Sequence, residues 1–406
     1  DSALLSTLAT LLATPEALSH PSVGRQVRLP ISRSGLGLRA IAPNLDAAFV
    51  GGAVLTCGRV RSASGLGFLR SPAASGEVPC EQRIRAAEGR LVHEGLAAAV
   101  DWELAATEPA PGWQQGPADV RAQRELQSLL SGLAGPDKAR VFSAGGIGAQ
   151  WLACIPAEDL LSIPDDEFVV AVRLRLGLPV CRPGPCLRRA QARVVCGQER
   201  DVFGLHDLIC PCQGGPTERH DEVCSRWFAL GMELGGVSVD WKPPVREWTL
   251  APHEDDEGEP DLGFHNLPAS RVVYADVRCT LAQAYAPAQR TPGAAAKEHE
   301  RRKHRRYPVV DANQRRAVPF DFVPLVLELH GRWGQEAQAF AGRLAHARAQ
   351  QLGTDPGSET ARIYGVISIG LQRGNASLVL GKAVPSAARR RRRLGVSFGD
   401  LGLAGY

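Results

Sequence analysis

The side chains best able to do chemistry are crowded into the middle of the chain. Cysteine and histidine alternate through Cys181, Cys186, Cys196, His206, Cys210, Cys212, His220 and Cys224. His206/Cys210 and His220/Cys224 are His-x-x-x-Cys pairs, which set two soft ligands about one helical turn apart. A structural Zn²⁺ takes four such N and S ligands at ~2.0–2.3 Å. The expected ligand set is Cys196, His206 and Cys210, with Cys186 or Cys181 as the fourth. Unligated thiols in a loop-rich linker are a competing reading, and a disulfide framework is another. Clustering and interleaved histidines argue against disulfides.

A second set of residues is acidic. Glu259-Pro260-Asp261 is followed fifteen positions on by Asp276, at the end of Val272-Val273-Tyr274-Ala275. Cutting a phosphodiester with Mg²⁺ needs hard oxygen ligands, usually two or three converging carboxylates. An aspartate on one strand and another on the next strand of a hairpin supply two of them. A cation must then steady the phosphate charge. Arg278 shares a strand face with Asp276, but arginine stays protonated and cannot act as a base. Lys303 is the alternative. Asp261, Asp276, Lys303 and Arg278 are therefore the candidate catalytic residues. The bland alternatives are an Asp276 that pairs with Arg271 or Arg278 and a charged helix that is only a solvated face. Tyr274-Ala275-Asp276-Val277 has valine where a polymerase would carry its second aspartate, so polymerase chemistry is excluded here.

The elements that must hold these residues can be read from periodicity and breakers. Helices are expected at 3–12, 83–103 and 120–133. Another starts at Asp165-Asp166-Glu167 and runs to Leu178, and a further one follows Trp227 to Leu234. A period-two stretch at 236–241 and the β-branched run 271–280 read as strands. A charged helix at 294–307, a buried strand or helix start at 320–329, and helices at 335–352 and 363–380 complete the series. Arg389–Arg393 then makes five consecutive arginines. The glycines at 35–37 and 145–148 have no strand before them and no Gly-Lys-Ser/Thr after them, so neither reads as a phosphate loop.

At 406 residues the chain should hold two or three domains of ~100–200 residues each. Hydrophobic residues at 44% allow a packed core, and 47 basic against 43 acidic residues exclude a histone-like protein. Charge is instead segregated: residues 254–261 hold six acids and no base, while 271–306 hold nine Lys/Arg against three Asp/Glu. Only five lysines occur, and Lys297 and Lys303 share one helix. Lys297, Arg301, Arg302, Arg305 and Arg306 there, with Arg219 and His220, are the expected nucleic-acid contacts. No stretch approaches the ~20 apolar residues of a membrane span. The chain opens at Asp1 and has one methionine, Met232, as expected of a piece of a longer reading frame.

The order of motifs resembles the C-terminal part of protist and algal non-LTR retrotransposon polyproteins. The matching stretches are Leu29-Pro30 with Gly35-Leu36-Gly37-Leu38-Arg39, Trp151-Leu152, Asp165-Asp166-Glu167-Phe168, Cys196-Gly197, Gly204-Leu205-His206 with Cys210, and Arg219-His220. Glu259-Pro260-Asp261, Asp276-Val277, Lys303 with Arg306-Tyr307, and Glu328-Leu329-His330-Gly331 continue the series. The resemblance covers most of residues 25–380. It implies a restriction-like endonuclease behind a Cys/His zinc motif, nicking target DNA to prime reverse transcription. Asp261 and Asp276 would be Mg²⁺ ligands and Lys303 the helix-borne lysine. DNA, element RNA and an upstream reverse transcriptase of the same polyprotein would be the partners, with no membrane, in the nucleus.

The implied fold is α+β. A helical thumb-like region would span 1–135, a linker helix with the zinc motif 136–230, an endonuclease core with mixed sheet 231–350, and a helical basic tail 351–406. Three departures stand out: Val194 where a close cysteine pair would open the zinc motif, Lys242-Pro243 in place of an acid-proline, and Arg219-His220-Asp221 in place of Arg-His-Asn. They make a non-cleaving nucleic-acid-binding remnant the second reading. A protein-interaction scaffold is the third.

Overall fold

Glycine and aspartate punctuate the helices of the first region. A computed structural model describes residues 2–13, 20–64, 79–108, 110–189, 194–243, 259–268, 272–307 and 320–382. The acids 254–257, Arg271 and the arginines 389–393 lie outside the described residues. The chain divides into two units, with the main boundary after Gly132. The first contains helices α1 (Ser2–Leu11), α2 (Pro21–Arg28), α3 (Leu45–Ser64), α4 (Pro79–His93), α5 (Trp102–Thr107) and α6 (Gln115–Ser131). The single helix expected over 83–103 is two. Gly95 turns the chain at φ +62°, and Asp101 restarts it by accepting from the Glu103 and Leu104 N–H groups. Val50, Val54, Ile84, Leu91 and Trp102 form this unit's core. The buried Glu88 carboxylate takes the Trp102 indole N–H at 3.0 Å.

The second unit is mixed α+β. It runs α7 (Gly135–Ser143), α8 (Asp165–Leu176), β1 (Gly184–Pro185), β2 (Glu199–Arg200), α9 (Leu205–Ile209), α10 (Gly215–Met232), β3 (Ser238–Trp241), β4 (Leu262–His265), β5 (Val272–Thr280), α11 (Ala294–Arg306), β6 (Asp321–Glu328), α12 (Gln335–Leu352) and α13 (Pro356–Leu380). Strands β3, β4 and β5 form an antiparallel meander, and β6 joins β5 in parallel. A parallel neighbour needs a crossover, and α11 is that crossover. One sheet face carries Val273, Ala275, Val277 and Leu325, packed with Trp227 of α10, Phe340 of α12 and Val366 of α13. The opposite face carries Tyr274 and Phe322, closed by Tyr307 and Phe320.

Two expectations are corrected here. The helix placed after Trp227 begins twelve residues earlier, at Gly215, with Pro216 pre-set for its first turn. Residues 351–382 are no tail. In α13 nearly every residue from Ile363 to Val379 is buried, because small residues at Gly370 and Gly374 admit the side chains of Arg226 and Arg219. A helix apolar on all sides belongs inside a core. The three segments expected as separate domains after residue 135 therefore share one unit.

Gly148 explains the glycine run that was no phosphate loop. A Cβ there would meet the Gly331 carbonyl oxygen at 1.4 Å, and Gly331 holds φ +122°. Gly148→Ala should therefore destabilise the second unit by about 1–3 kcal/mol, read as a lower denaturant midpoint in equilibrium unfolding, whereas Gly116→Ala, with open space at its Cβ, should not.

Candidate functional site

The short β1–β2 hairpin brings distant cysteines together. Cys186 N–H donates to Gln198 O, Gly197 N–H to Cys186 O, and Cys196 N–H to Arg188 O. Gly197 supplies the left-handed turn after Cys196, at φ +68°. α9 then delivers His206, with Cys210 at its C-terminal cap. The ligand atoms of Cys186, Cys196, His206 and Cys210 all lie within 4.8 Å of one another. Sulfur–sulfur distances are 3.9 Å for Cys186/Cys210 and 3.8 Å for Cys196/Cys210, and Cys196 Sγ lies 3.6 Å from His206 Nε2. A tetrahedron with Zn–S bonds of ~2.3 Å has S···S edges of about 3.8 Å, so four ligands already stand at metal-binding separations. Cys181 is excluded from the set, since its thiol donates to Asp201 O at 3.1 Å. None of the ten cysteines is joined in a disulfide, which goes against the disulfide reading.

Asp207, buried beside His206, anchors this centre. It takes a two-pronged contact from the Arg200 guanidinium at 2.9–3.1 Å, and Arg188 donates to its backbone oxygen. Burial pushes the Cys186 and Cys210 thiols up, while the Gln198 N–H lowers that of Cys196.

The acidic residues converge through strand register. Leu262 of β4 opposes Ala275 of β5, so one step further Asp261 faces Asp276. Asp261 Oδ2 accepts from the Val277 N–H at 2.8 Å, and the two carboxyls lie close enough to shift each other's ionisation. α11, laid across β5 and β6, extends Lys303 so that its Nζ reaches Asp276 Oδ2 at 2.6 Å. α10 presents His220, whose Nε2 stands 3.0 Å from Asp261 Oδ2. The Tyr307 hydroxyl, at the end of α11, donates to Glu259 O at 3.3 Å and also neighbours Asp276.

Electrostatics split the two acids. Burial raises Asp276, and the Asp261 charge adds to this against the pull of Lys303, leaving it at about 6. Burial works against ionisation of Asp261 too, but His220, Asp276 and the Val277 N–H outweigh it and hold that carboxyl at about 2. Burial disfavours the His220 cation, yet Cys224, Asp221 and Asp261 together raise its pKa well above the ordinary value. Cys224 is a buried thiol pushed up to about 12 and hence neutral below that, so the two carboxylates carry the attraction. Two like acids in contact thus titrate as a pair, holding one proton between about pH 2 and about pH 6 and none above.

The remaining predicted residues separate into an outer face and an interior. Lys297, Arg301, Arg302, Arg305 and Arg306 are exposed on α11. Glu298 alone meets Arg301, Arg302 and Arg305, at 2.7, 2.9 and 3.8 Å, so the face keeps a cationic surplus. Arg278 is exposed on β5 and, after burial, is the largest influence lowering His299 to about 4. The contact with Asp276 belongs to Lys303. Arg219 is corrected: it is 3% exposed, donating to Leu208 O at 2.9 Å and Asn375 Oδ1 at 3.2 Å, and so is an internal strut. His220 lies at the acidic site. The His-x-x-x-Cys spacing pairs Cys224 with His220, whereas sequence reasoning missed Asp221 beside His220 and Tyr307 beside Asp276.

No family model and no curated protein matches the chain. Among the described residues, no helix is long and apolar enough to cross a membrane. The purified chain should carry about one equivalent of a thiolate-binding divalent ion at the Cys186–Cys210 centre, by elemental analysis. Cys210→Ser should lose it, while Cys181→Ser should keep it.

Proposed function

We propose that this chain is a retroelement-derived, metal-dependent DNA endonuclease, nicking target DNA for target-primed reverse transcription, with a zinc-supported nucleic-acid-binding segment beside the nuclease core. The observation that carries the reading is the meeting of Asp261, Asp276 and Lys303 on an α-β-β-β-α-β succession with a parallel final pair. That succession is the arrangement expected of a restriction-like core. The residues come from separate parts of the chain: Asp261 just before β4, Asp276 on β5 and Lys303 on α11.

The donor set suits a hard ion, since two carboxylates meet in a partly buried position and one is ionised down to about 2. Mg²⁺ bound there would supply Lewis acidity to the phosphate and lower the pKa of the attacking water. Asp261, just before β4, and Asp276, on β5, would hold the ion. Lys303 holds positive charge against the scissile phosphate. The exposed cations of α11 track the DNA backbone on either side. Cys186, Cys196, His206 and Cys210 would hold Zn²⁺, which would stiffen the segment that carries them. The place of action would be the nucleus, with an upstream reverse transcriptase of the same polyprotein and its RNA as partners.

Supercoiled-plasmid nicking with Mg²⁺ tests the reading. Asp276→Asn should abolish it, and Lys303→Ala should slow it by about 10²–10³-fold, as for loss of one charge-stabilising donor. Activity that survives Asp276→Asn would sink the assignment, and salt-sensitive binding without cleavage would favour the inactive remnant.

Proton and metal compete for Asp276. Its folded pKa of about 6 keeps it protonated in acid, so the nicking rate should rise with pH through about 6 and level off above it. A flat profile from pH 5 to 8 at subsaturating Mg²⁺ would contradict that role.

Binding to short duplex DNA should weaken steeply with salt. Replacing both Arg301 and Arg305 by Ala should reduce the slope of log K against log salt by about 2, uniformly across sequences.

A further inference from the structure

Beside the acidic pair lies a second group of metal-competent side chains. His220 and Cys224 are one helical turn apart on α10, and their ligand atoms lie within 4.8 Å of each other and of an Asp261 oxygen. His220 Nε2 stands 3.0 Å from Asp261 Oδ2 and 3.8 Å from Cys224 Sγ. The other imidazole nitrogen, Nδ1, lies 3.3 Å from Asp221 Oδ1 and 3.7 Å from Cys224 Sγ. A carboxylate on the far nitrogen is the usual support of a metal-bound histidine, fixing its tautomer and raising its basicity.

One nitrogen, one sulfur and one oxygen make three protein ligands. The side chains of His220 and Asp261 are 25% and 14% exposed, which leaves a fourth position reachable from solvent. Cys224 is fully buried against the core. A site with thiolate and imidazole selects Zn²⁺ or Co²⁺, and Mg²⁺ takes only the carboxylates.

We propose that His220, Cys224 and Asp261 form a second site for a thiophilic divalent ion such as Zn²⁺, and that filling it withdraws Asp261 from the hard ion used at Asp261–Asp276. Excess zinc then inhibits the reaction. The inhibitory half rests on the endonuclease reading, whereas the binding half does not.

The full chain, loaded with one equivalent of Zn²⁺ to fill the Cys186–Cys210 centre, is titrated with Co²⁺ alone at mildly alkaline pH, where a metal displaces the thiol proton. The first centre holds zinc against cobalt by the ordinary affinity order. One further equivalent of Co²⁺ should bind, with a thiolate-to-cobalt charge-transfer band. Cys224→Ser should lose the band and retain its zinc, which also reports that the variant is folded. Asp221→Asn should weaken cobalt binding by about 10–100-fold. Failure to bind a second equivalent overturns the site, as does a band that persists in both Cys224→Ser and His220→Gln.

No DNA enters that measurement, so its failure is distinct from failure of the nuclease reading. In the nicking assay, excess Zn²⁺ should slow the wild-type chain and slow Cys224→Ser at least about tenfold less, each relative to its own zinc-free rate. Equal inhibition of the two would overturn the competition.

Discussion

A carboxylate in the middle of a central strand, 4% exposed, must find a partner, and for Asp276 that partner is Lys303. Removing one member of such a buried pair leaves an uncompensated charge, which costs far more than the intact pair contributes. The requirement reaches outward through the fold. Lys303 arrives only because α11 crosses from β5 to β6, and it can cross only because those strands are parallel. Asp261 arrives only because β4 pairs with β5 in the register that sets Leu262 against Ala275. A slip of one residue would turn every side chain of β4 to the wrong face. The hydrophobic alternation of Val273, Ala275 and Val277 against the α10–α12–α13 core forbids that slip.

The Cys/His cluster and the acidic site share a support. Arg219, next to His220 on α10, donates to Leu208 O in α9 and to Asn375 in α13. Arg226, two turns further on, bonds Glu222, Leu160 O and Val366 O. These guanidiniums lie in the interior, where each donor needs an acceptor, and together they fasten α10 between the Cys/His segment and the central helix. Arg219 thus ties the turn of α10 that carries His220 to α9, which carries His206. Arginine used this way is a packing element, and a count of basic residues overstates the cationic surface.

Much of the local structure was legible in the chain. The first-turn acids at 165–167 start α8 as expected, while the left-handed Gly177 ends it at Leu176, two residues short of the expected Leu178. The helix over 335–352 has the limits expected, and β5 begins within one residue of the β-branched run. The Cys196–His206–Cys210 spacing marked three of the four clustered ligands. What could not be read were the choices among equivalent candidates. Cys186 and Cys181 have the same chemistry, and only the β1–β2 hairpin brings the first inward. Lys303 and Arg278 carry the same charge, and Arg278 is nearer to Asp276 in sequence, yet the crossover helix delivers the lysine.

The sequence by itself determined the ligand chemistry: soft donors in one stretch, hard acids in another, and a basic helix after them. Those properties belong to side chains and to spacings of a few residues, where helix and strand periods hold. The tertiary structure alone decided that Asp261 meets His220 across 41 residues and Lys303 meets Asp276 across 27. It also decided that Arg219 is internal and that α13 is core. Such outcomes follow from strand register and layer packing, in which a position's neighbours come from distant segments and its own sequence context carries no record of them.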